Sequence, residues 1–104
     1  MIIFNMQYIF IKGPSFKTIA AYGPHGAIIH YKPNAVTNSK IGTDSLFLLD
    51  SGAQYLDGTT DVTRTFHFGQ PTPFEKEAYT RVLMGAVDLA RGIFRYEEIF
   101  KNSI

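Results

Sequence analysis

Cysteine is absent from the 104 residues, and that absence removes several chemistries at once. No disulfide framework can brace the fold, no thiolate can hold a metal, and no thiol can serve as a nucleophile. A reducing, cytoplasmic setting agrees with it. An excess of one charge is missing too: ten basic and nine acidic residues leave a formal net charge of +1. Nucleic-acid binders gather Lys and Arg into a basic stripe, and this chain has none. No apolar run is long enough for a membrane span. The apolar opening over positions 1–11 is too short to cross a bilayer and is broken by Asn5 and Gln7. It also lacks a basic leader and a small-residue cleavage site, so it reads as a terminal strand rather than a targeting signal. Neither nucleic acid nor membrane is expected as a partner.

Missing motifs narrow the enzyme classes further. Neither G-x-G-x-x-G nor G-x-x-x-x-G-K-[ST] occurs, which argues against a nucleotide cradle. No G-x-S-x-G elbow marks a serine hydrolase. What is present is ordinary globular composition, 45% hydrophobic and 18% charged, with nine Phe and six Tyr to fill a core. At this length a lone domain is only marginally self-sufficient.

Turn residues divide the chain. Gly13-Pro14 is the first break, Phe16 to Tyr22 reads as a strand, and Gly23-Pro24-His25-Gly26 reads as a turn into a returning strand, Ala27 to Tyr31. Pro33 to Asp44 is polar and reads as an exposed loop. Leu46-Phe47-Leu48-Leu49 is a continuous apolar run of the kind buried on both faces of a sheet. Asp57-Gly58 marks a second turn, and Thr59 to Phe68 is the expected partner strand. Thr72-Pro73-Phe74-Glu75 is a capping box with proline at the first helical position. Tyr79, Val82, Leu83, Ala86, Ala90, Ile93 and Phe94 then recur at helical spacing, with Gly85 and Gly92 as sites of close packing. The expectation is an α+β fold: antiparallel hairpins followed by one long helix covering a sheet face.

The chemistry gathers between Leu49 and Thr65. Asp50 closes an apolar strand, where a carboxylate is costly to bury unless it is paired or metal-bound. Asp61 follows eleven residues later, and a hairpin through Asp57-Gly58 would bring the two together. Two such carboxylates repel, and a divalent cation with a taste for oxygen would relieve them. Aspartate is equally at home at strand ends and in turns, so spacing alone leaves both readings open. Asp57, Thr59 and Asp61 alternate like the start of a calcium loop, but the twelfth position is Phe68 rather than Glu, which excludes an EF-hand. Asp57 is assigned to the turn. His30 ends an apolar stretch, where a lone histidine is more often a core residue than a catalytic one. His25 reads as exposed in a turn, and His67 shares the strand face of Asp61, Thr63 and Thr65. Thr63 is placed to hydrogen-bond a ligand carboxylate. Arg64 points to the opposite face, as a packing or ion-pair residue.

Three strings together carry a resemblance: Ser15-Phe16-Lys17-Thr18-Ile19, Gly26-Ala27-Ile28-Ile29-His30-Tyr31, and Leu49-Asp50-Ser51-Gly52-Ala53-Gln54-Tyr55 running on to Asp57-Gly58-Thr59-Thr60-Asp61-Val62-Thr63-Arg64-Thr65. The sequence resembles the cytosolic Xaa-Pro aminopeptidases, which belong to the pita-bread metallopeptidases. The resemblance runs from about Ser15 to Phe94. It divides the chain into a segment 1–14 unlike the family, a partial pita-bread catalytic domain 15–94, and a divergent tail 95–104.

By that resemblance Asp50 and Asp61 are metal ligands, Asp61 bridging two Mn²⁺ ions, and His30 contacts the substrate near the scissile bond. The implied substrate is a peptide with proline at the second position, cleaved by metal-assisted hydrolysis. A homodimer is implied for a full-length parent. The family site also draws on a histidine and two glutamates beyond the first helix, and Glu97 and Glu98 do not match them. The expectation is therefore a fragment that is inactive by itself and leaves apolar surface exposed. Competing readings are a non-catalytic peptide- or protein-binding module and a prolidase-like dipeptidase.

Overall fold

A computed structural model describes residues 10–92. The opening segment 1–9, the helix positions Ile93 and Phe94, and the tail 95–104 lie outside the described residues. The fold is α+β. Strands β1 (Ile11–Pro14), β2 (Ile19–Tyr22), β3 (Leu46–Ser51), β4 (Ala53–Tyr55) and β5 (Val62–His67) precede helix α1 (Pro73–Arg91). All strand pairing among the described residues is antiparallel. One sheet has the order β2-β3-β5, and a two-stranded sheet joins β1 to β4. The chain divides into two compact units at Pro71–Thr72, the first carrying the strands and the second the helix.

The apolar run Leu46–Leu49 forms the middle of the central strand, because only a strand bonded on both sides can bury so continuous a run. β5 supplies the β-branched and aromatic residues that suit a pleated surface. The register sets Ile19 and Thr63 on either side of Asp50, and Phe66 opposite Phe47. Only Phe47 of the run is fully buried, its ring 5.8 Å from that of Phe68. Leu46, Leu48 and Leu49 are half-buried, so the expectation of burial on both faces is not met. Within this unit the sheet is narrow, and the segment after β2 covers part of one face, with Gly26 over Leu48. Val62, Phe66 and Phe68 stay exposed, as does Val36 in the long loop.

The expected first hairpin does not form. Ala27 to Tyr31 is not a strand; Gly23–Ala27 winds as a 3-10 turn, and β2 pairs with β3 instead. Short-range bonds replace the ladder: Ile28 N–H donates to His25 O (3.0 Å) and Tyr31 N–H donates to Ile28 O (3.2 Å). Tyr31 is buried by this winding, only 5% exposed, which an outward-pointing strand residue would not be. The loop after it is polar and exposed as expected. Asn34 organises it, its Oδ1 accepting from the N–H groups of Val36 and Thr37, both at 2.9 Å.

α1 starts where the capping box places it. Thr72 Oγ1 accepts from Glu75 N–H (3.2 Å), and Glu75 Oε2 accepts from Thr72 N–H (2.7 Å), while Pro73 takes the first position. The helix ends at Gly92, whose N–H bonds Leu89 O. It buries none of its residues. Within the helix's own unit a methyl at Gly85 would meet nothing within 4 Å. Gly85→Ala is expected to stabilise the chain by about 1 kcal/mol through helix propensity, read as a higher urea midpoint with unchanged slope.

The far end of the long loop is pinned by Tyr22, whose hydroxyl donates to Asp44 Oδ1 and accepts from Asp44 N–H (3.1 Å). The shared hydrogen bond holds the Tyr22 phenol above its ordinary pKa and the Asp44 carboxyl below its own, with His67 also favouring the carboxylate. The Asp44 contribution is present above the unfolded carboxyl range and lost as pH falls through its lowered folded value. The Tyr22 contribution is present below the unfolded phenol range and lost as pH rises through its raised folded value. Tyr22→Phe is therefore expected to flatten both flanks of a stability-against-pH curve while costing little at neutrality, because the pair is solvent-exposed. Urea midpoints from acid to alkaline pH read this directly.

Candidate functional site

Asp50 is the penultimate residue of β3, with Ile19 of β2 and Thr63 of β5 as its cross-strand neighbours. Directly opposed residues share a sheet face, and residues two apart along a strand do so too. Asp61, immediately before β5, therefore falls on the face of Thr63 and Asp50. Both carboxylates line one cavity of about 560 Å³, together with His30, Lys17, Tyr31 and Lys32. Of the sequence-derived candidates, the structure brings His30, Asp50 and Asp61 to this one place.

The connection from Asp50 to Asp61 is more elaborate than a hairpin. β4 intervenes and leaves the central sheet to pair with β1, Ile11 opposite Tyr55 and Pro14 opposite Ala53. The threonines of D-G-T-T-D then fasten the return. Ala53 N–H donates to Thr60 Oγ1 and Thr60 N–H donates to Ala53 O, both at 2.9 Å. Thr59 Oγ1 donates to Gln54 Oε1 (2.8 Å), and Tyr55 N–H donates to Gly58 O (2.8 Å) across the turn. From the other side Ser15 donates its N–H to Gly52 O (3.1 Å) and its hydroxyl to Thr60 O (3.0 Å). Ser15, Thr59 and Thr60 are thus the struts that deliver Asp61 beside the end of β3.

Asp50 Oδ1 is buried and accepts no hydrogen bond, from Thr63 or from any other described group. An orphaned carboxylate oxygen in a pocket is a costly arrangement unless something cationic meets it. Two carboxylates offer hard oxygen donors, which suit Mn²⁺, Mg²⁺ and similar ions. Among the described residues no set of three or more acidic, histidine or cysteine side chains converges to hold an ion. The donors present therefore fit a divalent cation in kind but supply only part of a coordination sphere.

His30 reaches the cavity in an unusual backbone state, with φ of 55°. For a residue with a Cβ this left-handed conformation costs about 1–2 kcal/mol. Strain of this kind gathers where the surrounding structure fixes a side chain for use.

A model of metallopeptidase family M24 matches residues 3–97. The chain belongs to this family. Among its relatives, Xaa-Pro aminopeptidase ApepP of Drosophila melanogaster is 61% identical over 82 residues, which cover 79% of this chain and 13% of the relative. Human Xaa-Pro aminopeptidase 2 is 58% identical over 91 residues, 88% of this chain and 14% of the relative. A probable Xaa-Pro aminopeptidase P of Aspergillus fumigatus is 60% identical over 82 residues, 79% of this chain and 12% of the relative. The chain thus spans roughly an eighth of the length of the relatives it matches.

Within this family frame the remaining candidates separate from the site. Asp57 is exposed in the bend before Gly58, apart from the cavity lining. His67 sits at the other end of β5, opposite Leu46, where its Nδ1 accepts from Gly69 N–H (3.0 Å). Arg64 donates to the carbonyl of Thr63 (2.7 Å) rather than to a carboxylate. His25 is half-buried instead of exposed, because its ring stacks on Tyr31. Lys17 and Lys32 were not singled out from sequence. Lys17 lies in the Ser15–Ile19 string, two residues before Ile19, the cross-strand neighbour of Asp50.

Gly52 tests the frame. A methyl there would run into the Thr60 carbonyl and the Ser15 hydroxyl. Gly52→Ala is expected to cost about 1–3 kcal/mol through overpacking, seen as a lowered thermal midpoint.

Proposed function

We propose that His30, Asp50 and Asp61 are part of a two-metal Xaa-Pro aminopeptidase site, with the two aspartates as metal ligands and His30 as a substrate contact. The observation that carries this reading is the single cavity that all three residues line, with a buried, unpartnered oxygen on Asp50. The relatives' printed name, Xaa-Pro aminopeptidase, supports the proposed substrate class: a peptide cleaved before proline at its second position. When bound, two divalent ions, Mn²⁺ in this proposal, would polarise the scissile carbonyl and activate water.

The chain's own residues have narrower tasks. Asp50, held between two strands, offers an oxygen that is already stripped of water and of protein donors. Asp61, delivered by the Thr59–Thr60 struts, adds the second carboxylate. His30, fixed in its left-handed turn, presents an imidazole that can donate to a peptide carbonyl or accept from an amine.

Two carboxylates do not complete a six-ligand sphere, so the chain alone is proposed to bind metal weakly and to lack turnover. A full-length parent would supply the remaining donors, act in the cytoplasm and form a homodimer. Calorimetric titration with Mn²⁺ is expected to give weak binding that disappears in an Asp50→Ala, Asp61→Ala double variant, with no measurable Xaa-Pro hydrolysis by either. Equal binding by both proteins would remove the aspartates from the metal site. Robust hydrolysis by the 104-residue chain would overturn its proposed incompleteness.

A further inference from the structure

His25 and Tyr31 are the two ends of the segment that carries His30, and their rings lie face to face. The centroids are 4.3 Å apart and the planes only 12° from parallel. Between them the backbone is wound by two successive short-range bonds, Ile28 N–H to His25 O and Tyr31 N–H to Ile28 O. The stack closes that winding into a loop. Tyr31 is held at its other end as well: its hydroxyl donates to Thr37 O at 2.9 Å. Thr37 is in turn fixed by Asn34, whose side chain accepts the Thr37 N–H at 2.9 Å and whose backbone N–H donates to Thr37 Oγ1 at 3.3 Å. Tyr31 is thus clamped by face and by tip, and it is among the few buried residues of the described chain. His30 directly precedes it, exposed, left-handed at φ 55°, and on the cavity wall.

We infer that His25 is a positioning residue for His30, acting through its stack on Tyr31. The Ile28–Tyr31 hydrogen bond closes a turn with His30 at its third position, where φ is positive, and the ring stack braces Tyr31, the last residue of that turn; an unbraced turn would open and relax to negative φ. A flat ring at position 25 is what the clamp needs. The Nδ1 atom of His25 is buried and makes no hydrogen bond, and the contact the ring does make is its face against Tyr31. The inference also gives the exposed Asn34–Thr37 turn a task, as the outer anchor of a contact chain that ends at the cavity. It rests on the reading of His30 as a substrate contact only for its functional meaning; the structural coupling stands by itself.

The test is NMR of the 104-residue chain, following the Cε1–H signal of the His30 imidazole and, as a fold control, the Leu48 amide in β3. In the parent the His30 signal is expected at a shift distinct from that of an unstructured histidine. His25→Ala is expected to move it to the unstructured shift with Leu48 unchanged, and His25→Phe, which keeps a flat ring, to restore the parent value. A His30 signal unmoved by His25→Ala, or a His25→Phe variant that behaves like alanine, would overturn the inference. Should His25→Ala disturb Leu48 as well, Tyr31→Phe decides: it keeps the stack but loses the Thr37 bond, and a partial shift supports the clamp while no shift overturns it. His30→Ala, assayed for Mn²⁺-dependent binding of a Xaa-Pro peptide, addresses the functional reading separately. Unchanged peptide binding there would remove His30 from the substrate site and leave the NMR outcome intact.

Discussion

The antiparallel pairing of β3 with β5 is the constraint on which the rest of the site depends. It sets Thr63 opposite Asp50 and so puts Asp61 on the same face, two residues earlier. A slip of one residue would turn Asp61 to the far side of the sheet and separate the carboxylates. Hydrophobic patterning alone does not secure that register, because β5 is exposed or half-buried along its length. The Thr60–Ala53 bond pair secures it instead, by fixing how much chain is spent between the two strands.

The elements legible in the sequence were those decided locally. The capping box at Thr72–Glu75 starts α1 where two reciprocal hydrogen bonds require, and the Leu46–Leu49 run forms the central strand. The motif strings that carry the family resemblance hold His30, Asp50 and Asp61, and these three residues line one cavity. Pattern alone left the aspartates undecided between turn chemistry and metal binding, since both uses select the same residue.

What escaped the sequence was decided at a distance. Ala27–Tyr31 looks like a strand because Ile28, Ile29 and Tyr31 favour one, yet burial of Tyr31 against His25 selects a wound turn. The β1–β4 pairing joins segments some forty residues apart across an irregular register, with no turn signal to announce it. His25 was placed in solvent for the same reason: its partner is a ring that the expected hairpin would have carried away. Charge pattern likewise gave no notice that Lys17 and Lys32 would share a wall with the two aspartates.

β5 is an edge of its sheet among the described strands, bonded to β3 along one side only. Its main-chain groups therefore alternate between a protected and an unprotected direction with the two-residue period of a strand. In deuterated solvent, amides facing β3 would exchange slowly and those facing outward quickly, so one six-residue segment would carry two widely different lifetimes. The outward set is also the surface on which another strand could register without disturbing Asp61. Among the described strands, an edge that leaves half of its own amides unclaimed makes this small sheet an open template.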